Sequence, residues 1–276
     1  MAILRQHWEE LPRPVHRAVE ALLGPIQAAT TVGPGQNSAI AAVLETTQRT
    51  VFVKGLRTDQ RAVVTQQREA SINPHVRPVS PELLWRLEIH GWDLLCFEHL
   101  NGRPADYTPG SPDLPPLIDT MRRLAALPCP NLPPAYFRPA QLRWAELIDD
   151  PDARQQLAGD TILHTDYNPS NIIVTTTGEL KMIDWAWPTR GAAWIDPACL
   201  VPRLIAWGHT PAGAEDVAAQ CPAWNDADPA AIDLFVNVLT TMWDSIAQDQ
   251  PGEDWKQTLA TSAKQWLEYR ATPATA

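Results

Sequence analysis

Asp166, Asn171 and Asp184 are the side chains whose types and spacing most directly suit chemistry. They fall in the run LHTDYNPSNIIVTTTGELKMIDWAWP, residues 163–188. The run predicts a turn-rich loop carrying Asp166 and Asn171, a strand from Ile172 to Thr175, and a turn at Gly178. A second strand, Leu180 to Ile183, then delivers Asp184 into the next loop. A carboxylate and an amide before one strand, with a second carboxylate after the next, can gather around a common point. Such oxygen ligands suit Mg²⁺ carrying phosphates, with one carboxylate left to take a hydroxyl proton. The plain alternative is a turn and hairpin, because Asp and Asn also occupy turns for local hydrogen-bonding reasons.

The elements that would position these groups can be read in chain order. Leu4, Trp8, Leu11, Val15, Val19 and Leu22 repeat at helical spacing, interrupted by Pro12 and Pro14. Two strands follow around the small-residue loop 30–38, where Gly33 and Gly35 leave backbone N–H groups unscreened. That loop could lie over phosphates or form an ordinary turn. It is not a Walker motif, because no Gly-Lys-Ser/Thr follows. In TVFVKG, residues 50–55, alternation sets Val51 and Val53 on one strand face and Phe52 and Lys54 on the other. A helix from about Asp59 to Ile72 carries Glu69. Two apolar runs, Leu83 to Ile89 and Trp92 to Glu98, flank His90-Gly91 and predict a hairpin. The remainder reads as mainly helical: Leu117 to Leu127, an interrupted stretch over 139–156, a helix opening at Asp196-Pro197 with Asp196 as its N-cap, and segments 213–220, 229–248 and 253–269. In segment 229–248, Leu234, Val238, Met242 and Ile246 form the expected core stripe. Trp185 and Trp187 are expected to pack the loop after Asp184 against this helical part, although Trp187 near a pocket could instead stack on a ligand.

The string His164-Thr165-Asp166-Tyr167-Asn168-Pro169-Ser170-Asn171, followed by Ile183-Asp184-Trp185, resembles the catalytic and metal-binding segments of the aminoglycoside phosphotransferase family. This is a kinase-like family that also includes kinases for other small hydroxyl compounds. The resemblance implies a bilobal α+β fold like that of protein kinases. Residues 1–100 would form a small, mainly β nucleotide-binding lobe, and residues 101–276 a larger helical lobe for catalysis and substrate binding. It further implies ATP or GTP as phosphate donor, Mg²⁺ held by Asn171 and Asp184, and Asp166 as catalytic base. Lys54 would contact the nucleotide phosphates, with Glu69 as its partner. Gly33 and Gly35 would cover the phosphates, and the hinge around Glu98 to Leu100 would meet the base edge. His164 and Asp196 are implied as structural supports.

The sequence departs from the family pattern at Thr165, where relatives often carry glycine. Trp185 stands in place of the phenylalanine of the protein-kinase Asp-Phe-Gly pattern, and no Ala-Pro-Glu segment ends an activation loop. Both departures from protein kinases favour a small-molecule acceptor.

The 276 residues, 45% of them hydrophobic, can bury one or two cores. A net charge of −10 argues against nonspecific nucleic-acid binding and is compatible with a cationic ligand. Asp226, Asp228, Asp244, Glu253 and Asp254 could line such a site or could be solvated helix faces. Cys96, Cys129, Cys199 and Cys221 show no CxxC or zinc spacing, which predicts free thiols in a reducing compartment. The opening MAILRQHWEE lacks a signal-peptide pattern, and no run reaches membrane-spanning length, so a cytoplasmic protein without membrane partners is expected. The expected acceptor is an aminoglycoside. A nucleoside antibiotic, sugar, choline-like alcohol or other metabolite is the alternative, and a catalytically weak nucleotide-binding or scaffold protein is the alternative from another class. The biological role would be antibiotic resistance or metabolism accordingly.

Overall fold

A computed structural model describes residues 4–33 and 38–272. Gly35, one of the two loop glycines singled out above, lies outside the described residues. The chain folds as a bilobal, kinase-like α+β structure. The first lobe is a five-stranded antiparallel sheet with strand order β1-β2-β3-β5-β4. Its strands are β1 (Ile26–Thr31), β2 (Ile40–Thr46), β3 (Thr50–Arg57), β4 (Leu83–Ile89) and β5 (Trp92–Glu98). The expected alternation in β3 buries Val51 and Val53 completely. The β4–β5 hairpin closes on His90 and Gly91 at φ 47° and 76°, the left-handed pair that a two-residue turn requires. Helix α1 (Arg13–Leu23) adds Val15, Val19 and Leu23 to a core shared with Trp8, Leu11 and the sheet.

Helix α2 (Val63–Val76) starts later and ends later than its sequence pattern predicts, and it carries Pro74 in its last turn. Buried Asn73 accounts for the extension. Its amide donates to the Pro81 carbonyl and accepts from the Leu83 N–H, both at 2.8 Å, which ties the helix end to β4. Ile72 and Val76 then enter the core of the second lobe, so α2 links the two cores.

The second lobe holds β6 (Gly102–Pro104), α3 (Leu114–Ala125), β7 (Arg138–Pro139), α4 (Ala140–Arg143), α5 (Pro151–Gln155), β8 (Thr161–Leu163), β9 (Ile172–Thr175), β10 (Leu180–Met182) and β11 (Thr189–Gly191). Five helices complete it: α6 (Ile195–Ala206), α7 (Pro211–Ala218), α8 (Pro222–Asn225), α9 (Pro229–Asp249) and α10 (Asp254–Ala271). Two small sheets, ordered β10-β9-β6 and β7-β11-β8, frame the loops between them. Strands of two or three residues carry no readable periodicity; tertiary pairing makes them. Helix α6 is buried along nearly its whole length, as its apolar composition requires. In α9 the expected stripe is displaced. Val238 is buried, but Leu234, Met242 and Ile246 are only half-buried, and the core face runs instead through Ala231, Phe235 and Leu239. Neighbouring α6 and α10 select that face. The four cysteines are free, and among the described residues no helix is long and apolar enough to cross a membrane.

Candidate active site

Strand β8 feeds the loop 164–168, and a single 3₁₀ turn, Pro169–Asn171, leads into β9. Asn168 caps that turn by accepting the Ser170 N–H at 3.1 Å. Gly178, at φ 82°, turns β9 into β10, whose end presents Asp184. His164 is buried and braces the hairpin from within. Its Nε2 donates to the Ile183 carbonyl at 3.0 Å, so its Nδ1 accepts the Asp166 N–H at 3.2 Å. Ile183 in turn donates its N–H to the Asn171 carbonyl at 2.9 Å, which fixes Asn171 beside the strand that ends at Asp184.

Two residues of this framework have left-handed backbones, Thr165 at φ 67° and Asp184 at φ 62°. For β-branched Thr165 this is a strained conformation. Asp196 holds it there. One carboxylate oxygen accepts the His164 N–H at 3.0 Å and the Tyr167 hydroxyl at 2.8 Å, and the other accepts the Thr165 N–H at 2.9 Å. The expectation that Asp196 caps its own helix is therefore corrected: Trp194 occupies the N-cap of α6, and Asp196 lies inside the first turn with its carboxylate spent on the loop. Burial pushes its carboxyl upward, opposed by these donors and by His164.

Lys54, from β3, meets Glu69 of α2 at 2.5 Å and Asp184 at 3.1 Å. Burial alone would lower the ammonium pKa, but the Asp184 and Glu69 charges outweigh it and hold Lys54 above its ordinary value. Burial pushes the Glu69 carboxyl up against the pull of Lys54, and the Trp185 backbone N–H also bonds to it. Gly33, Lys54, Glu69, Glu98, Leu100, Asn171 and Asp184 line one cleft of about 440 Å³, walled on its apolar side by residues such as Val43, Phe52, Phe97 and Ile173. The Glu98 N–H is taken by the Glu82 carbonyl at 3.0 Å and is not open to a base edge. A second cavity of about 280 Å³, behind the loop, is lined mostly by apolar groups such as Met121, Ile162 and Leu163, and lacks this set of charges.

Asp166 is not among the cleft-lining residues. It stands at the border, joined to the cleft through Asn171, whose Nδ2 donates to the Asp166 carbonyl at 3.4 Å. Its Oδ1 accepts from Arg203 at 2.9 Å and from the Asn168 N–H at 3.3 Å. Arg203 follows Asp196 by seven positions on α6, two helical turns on the same face. One face of α6 thus controls both the loop backbone and the Asp166 side chain. The Arg203 guanidinium also lies 5.1 Å from the Trp243 ring centre and 5.7 Å from that of Trp255. Sequence reasoning missed Arg203, although its spacing from Asp196 was the available signal. Arg143, which bonds to Thr165 of the same loop, and Arg68 and Arg138 near it left no local signal. Trp187 also departs from expectation: Trp185 is buried, but Trp187 is 48% exposed.

The donor set fits a hard divalent cation. Asp184 supplies a carboxylate. Asn171 commits its Nδ2 to protein, so its amide oxygen is the end suited to an ion. Among the described residues no group of three or more His, Cys, Asp or Glu side chains gathers for a metal. Two protein oxygens suit an ion that takes its remaining ligands from phosphates and water, as Mg²⁺ does.

No family profile and no curated protein matches this sequence. Solved structures share its fold. Choline kinase LicA from Streptococcus pneumoniae superposes with a TM-score of 0.64 at 14% identity, over 93% of this chain and 98% of that one. The apo form of a thermostable mutant of aminoglycoside phosphotransferase APH(4)-Ia gives 0.62 at 14% identity, over 92% and 99%. A putative aminoglycoside phosphotransferase from Ralstonia eutropha gives 0.59 at 15% identity, over 92% and 98%.

Proposed function

We propose that this protein transfers the terminal phosphoryl group of ATP or GTP to a hydroxyl of a small molecule. The observation that carries the reading is the meeting of Lys54 and Asp184, drawn from the two lobes, in a cleft that Asn171 also lines and Asp166 borders. In this reading the lobes divide at residues 1–100 and 101–276. The pairing of β6 with β9 rather than with the first sheet supports that division. The apolar wall of the cleft takes the base, with Gly33 and the Glu98–Leu100 segment at its edges. Lys54, oriented by Glu69, holds phosphate oxygens. Asn171 and Asp184 hold Mg²⁺, which when bound neutralises charge on the phosphates.

Asp166 orients the acceptor hydroxyl and takes its proton. Arg203 pins Oδ1, which leaves Oδ2 as the atom that receives the proton. His164 and Asp196 act by holding the loop.

The structures that share this fold act, by their names, on choline or aminoglycosides. The acceptor is therefore sought among aminoglycosides, nucleoside antibiotics, sugars, choline-like alcohols and other small hydroxyl metabolites. Much of the acidity at the chain end serves structure: Asp228 caps α9, Asp244 pairs with Lys264, and Glu253 accepts the Trp255 indole N–H. Replacing Asp166 by Ala or Asn is expected to slow phosphate transfer by about 10²–10⁴-fold while nucleotide binding persists. The measurement is mass detection of phosphorylated acceptor in a screen of hydroxyl compounds. Unchanged turnover in the variant would sink the assignment, and nucleotide binding without transfer to any acceptor would favour a scaffold role.

A further inference from the structure

We propose that the acceptor carries a fixed negative charge, a carboxylate or a phosphate ester, bound by Arg68, Arg138 and Arg143. The proposal rests on the phosphotransferase reading and names the substrate class of the same site. Arg143, at the end of α4, directs Nη1 to three neutral acceptors: Thr165 Oγ1 at 2.6 Å, the Trp187 carbonyl at 2.9 Å and Thr189 Oγ1 at 2.6 Å. Thr165 immediately precedes Asp166, whose charge acts on Arg143, so a ligand on Arg143 would lie near the carboxylate that receives the hydroxyl proton. Arg68 reaches the same place from α2. Its guanidinium carbon lies 4.9 Å from the Trp187 ring centre, and that of Arg143 lies 5.6 Å from it. Arg138 is on β7, in register with Thr189 of β11.

None of these three arginines forms an ion pair among the described residues, a lack shared with exposed arginines such as Arg13, Arg17 and Arg49, but Arg68 and Arg143 are half-buried. In a chain of net charge −10, these guanidiniums without an ion-pair partner are a local excess of positive charge. Burial lowers the Arg68 pKa and the neighbouring Arg138 lowers it further; burial lowers that of Arg143 to about 10. Both shifts have a cause, burial of positive charge, that a bound anion would offset. The Asp166 and Asp196 charges offset only part of it at Arg143. Asp196 is occupied by the loop, and Asp166 is paired with Arg203. Beyond the bonds of Arg143 Nη1 and that of Arg68 Nε to the Ala135 carbonyl at 3.2 Å, the two guanidiniums have N–H groups to offer in fork geometry.

The same layout disfavours an ammonium. A polycationic sugar or a choline-like alcohol would meet like charge next to Asp166. The indole pair best suited to an ammonium, Trp243 and Trp255, already holds the Arg203 guanidinium.

The test is calorimetric titration of the full chain, saturated with Mg²⁺ and a non-hydrolysable ATP analogue so that the nucleotide site is filled. Matched hydroxyl compounds are added: sugar phosphates, hydroxy acids, neutral sugars and amino sugars. Oxyanion-bearing compounds are expected to bind most tightly, and which series does so separates a phosphate ester from a carboxylate. Arg68→Gln combined with Arg138→Gln should weaken that binding by about tenfold, and Arg143→Lys should weaken it while keeping the charge. Tightest binding by amino sugars, oxyanion binding indifferent to these variants, or no oxyanion binding would overturn the proposal. Arginine-dependent binding of compounds that never gain phosphate would instead overturn phosphate transfer and leave the anion site standing.

Discussion

Lys54 is the residue on which both lobes depend, because it sits between two carboxylates in a buried position. Its raised pKa means that its stabilisation is complete below the ordinary lysine value and is lost only as pH rises through the folded-state value. Lys54→Met leaves Glu69 buried with no countercharge, so the Glu69 carboxyl moves further up. The folded variant then keeps a proton that the unfolded chain releases above about pH 4, and its stability falls as pH rises from there. The expected deficit against the native chain is about 3 kcal/mol at neutral pH, shrinking towards about pH 4. Urea unfolding at the two pH values measures it; an equal deficit at both would contradict the Lys54–Glu69 coupling. At this scale the family resemblance, carried by the motif around Asp166 and Asp184, already pointed to Lys54 and Glu69, which local pattern alone leaves as an ordinary strand lysine and helix glutamate. Arg203 and Arg143 were not indicated, because nothing around either residue reports which distant loop its long side chain will reach.

Among the elements, the β6–β9 pair shows how a segment with almost no pattern is positioned by contact. Gly102 lies so close to β9 that an added Cβ would sit 2.3 Å from the Val174 carbonyl oxygen and 2.9 Å from Ile173 Cγ2. Backbone cannot yield as a side-chain tip can, so Gly102→Ala is expected to destabilise the protein by about 1–3 kcal/mol. Gly102 and Ile173 also line the cleft, so nucleotide affinity should fall with it. Denaturant unfolding and a nucleotide titration check both; a variant of native stability would show that β6 is not held at this distance. The longer elements were legible for definite reasons. The β4–β5 hairpin announced itself through His90-Gly91, and β9 and β10 through apolar runs about Gly178. Periodicity was less dependable in α9, where it marked Leu234 and Met242 but packing against α6 and α10 turned the helix to bury Phe235 and Leu239.

For the whole molecule, the cleft draws Lys54 from the first lobe and Asn171 and Asp184 from the second. A ligand filling it should therefore stabilise both lobes together. Nucleotide with Mg²⁺ at about 100 times its dissociation constant should add about 2.7 kcal/mol to unfolding, read as a rise in melting temperature. Chelation of the metal or Asp184→Ala should remove most of that rise. A nucleotide effect that survives both would exclude Asp184 from the site. The sequence by itself determined the local elements and placed Asp166, Asn171 and Asp184 on one turn–hairpin unit, because alternation, turn glycines and Asp/Asn turns act over a few residues. Only the tertiary structure decided that Asp196 braces Thr165 instead of capping its helix, and that Arg203 grips Asp166. It alone also brought Arg68 and Arg143 to one exposed indole, with Arg138 near Arg68. Those contacts join segments far apart in the chain, and their geometry follows from how the helices and short strands pack, which no local pattern records.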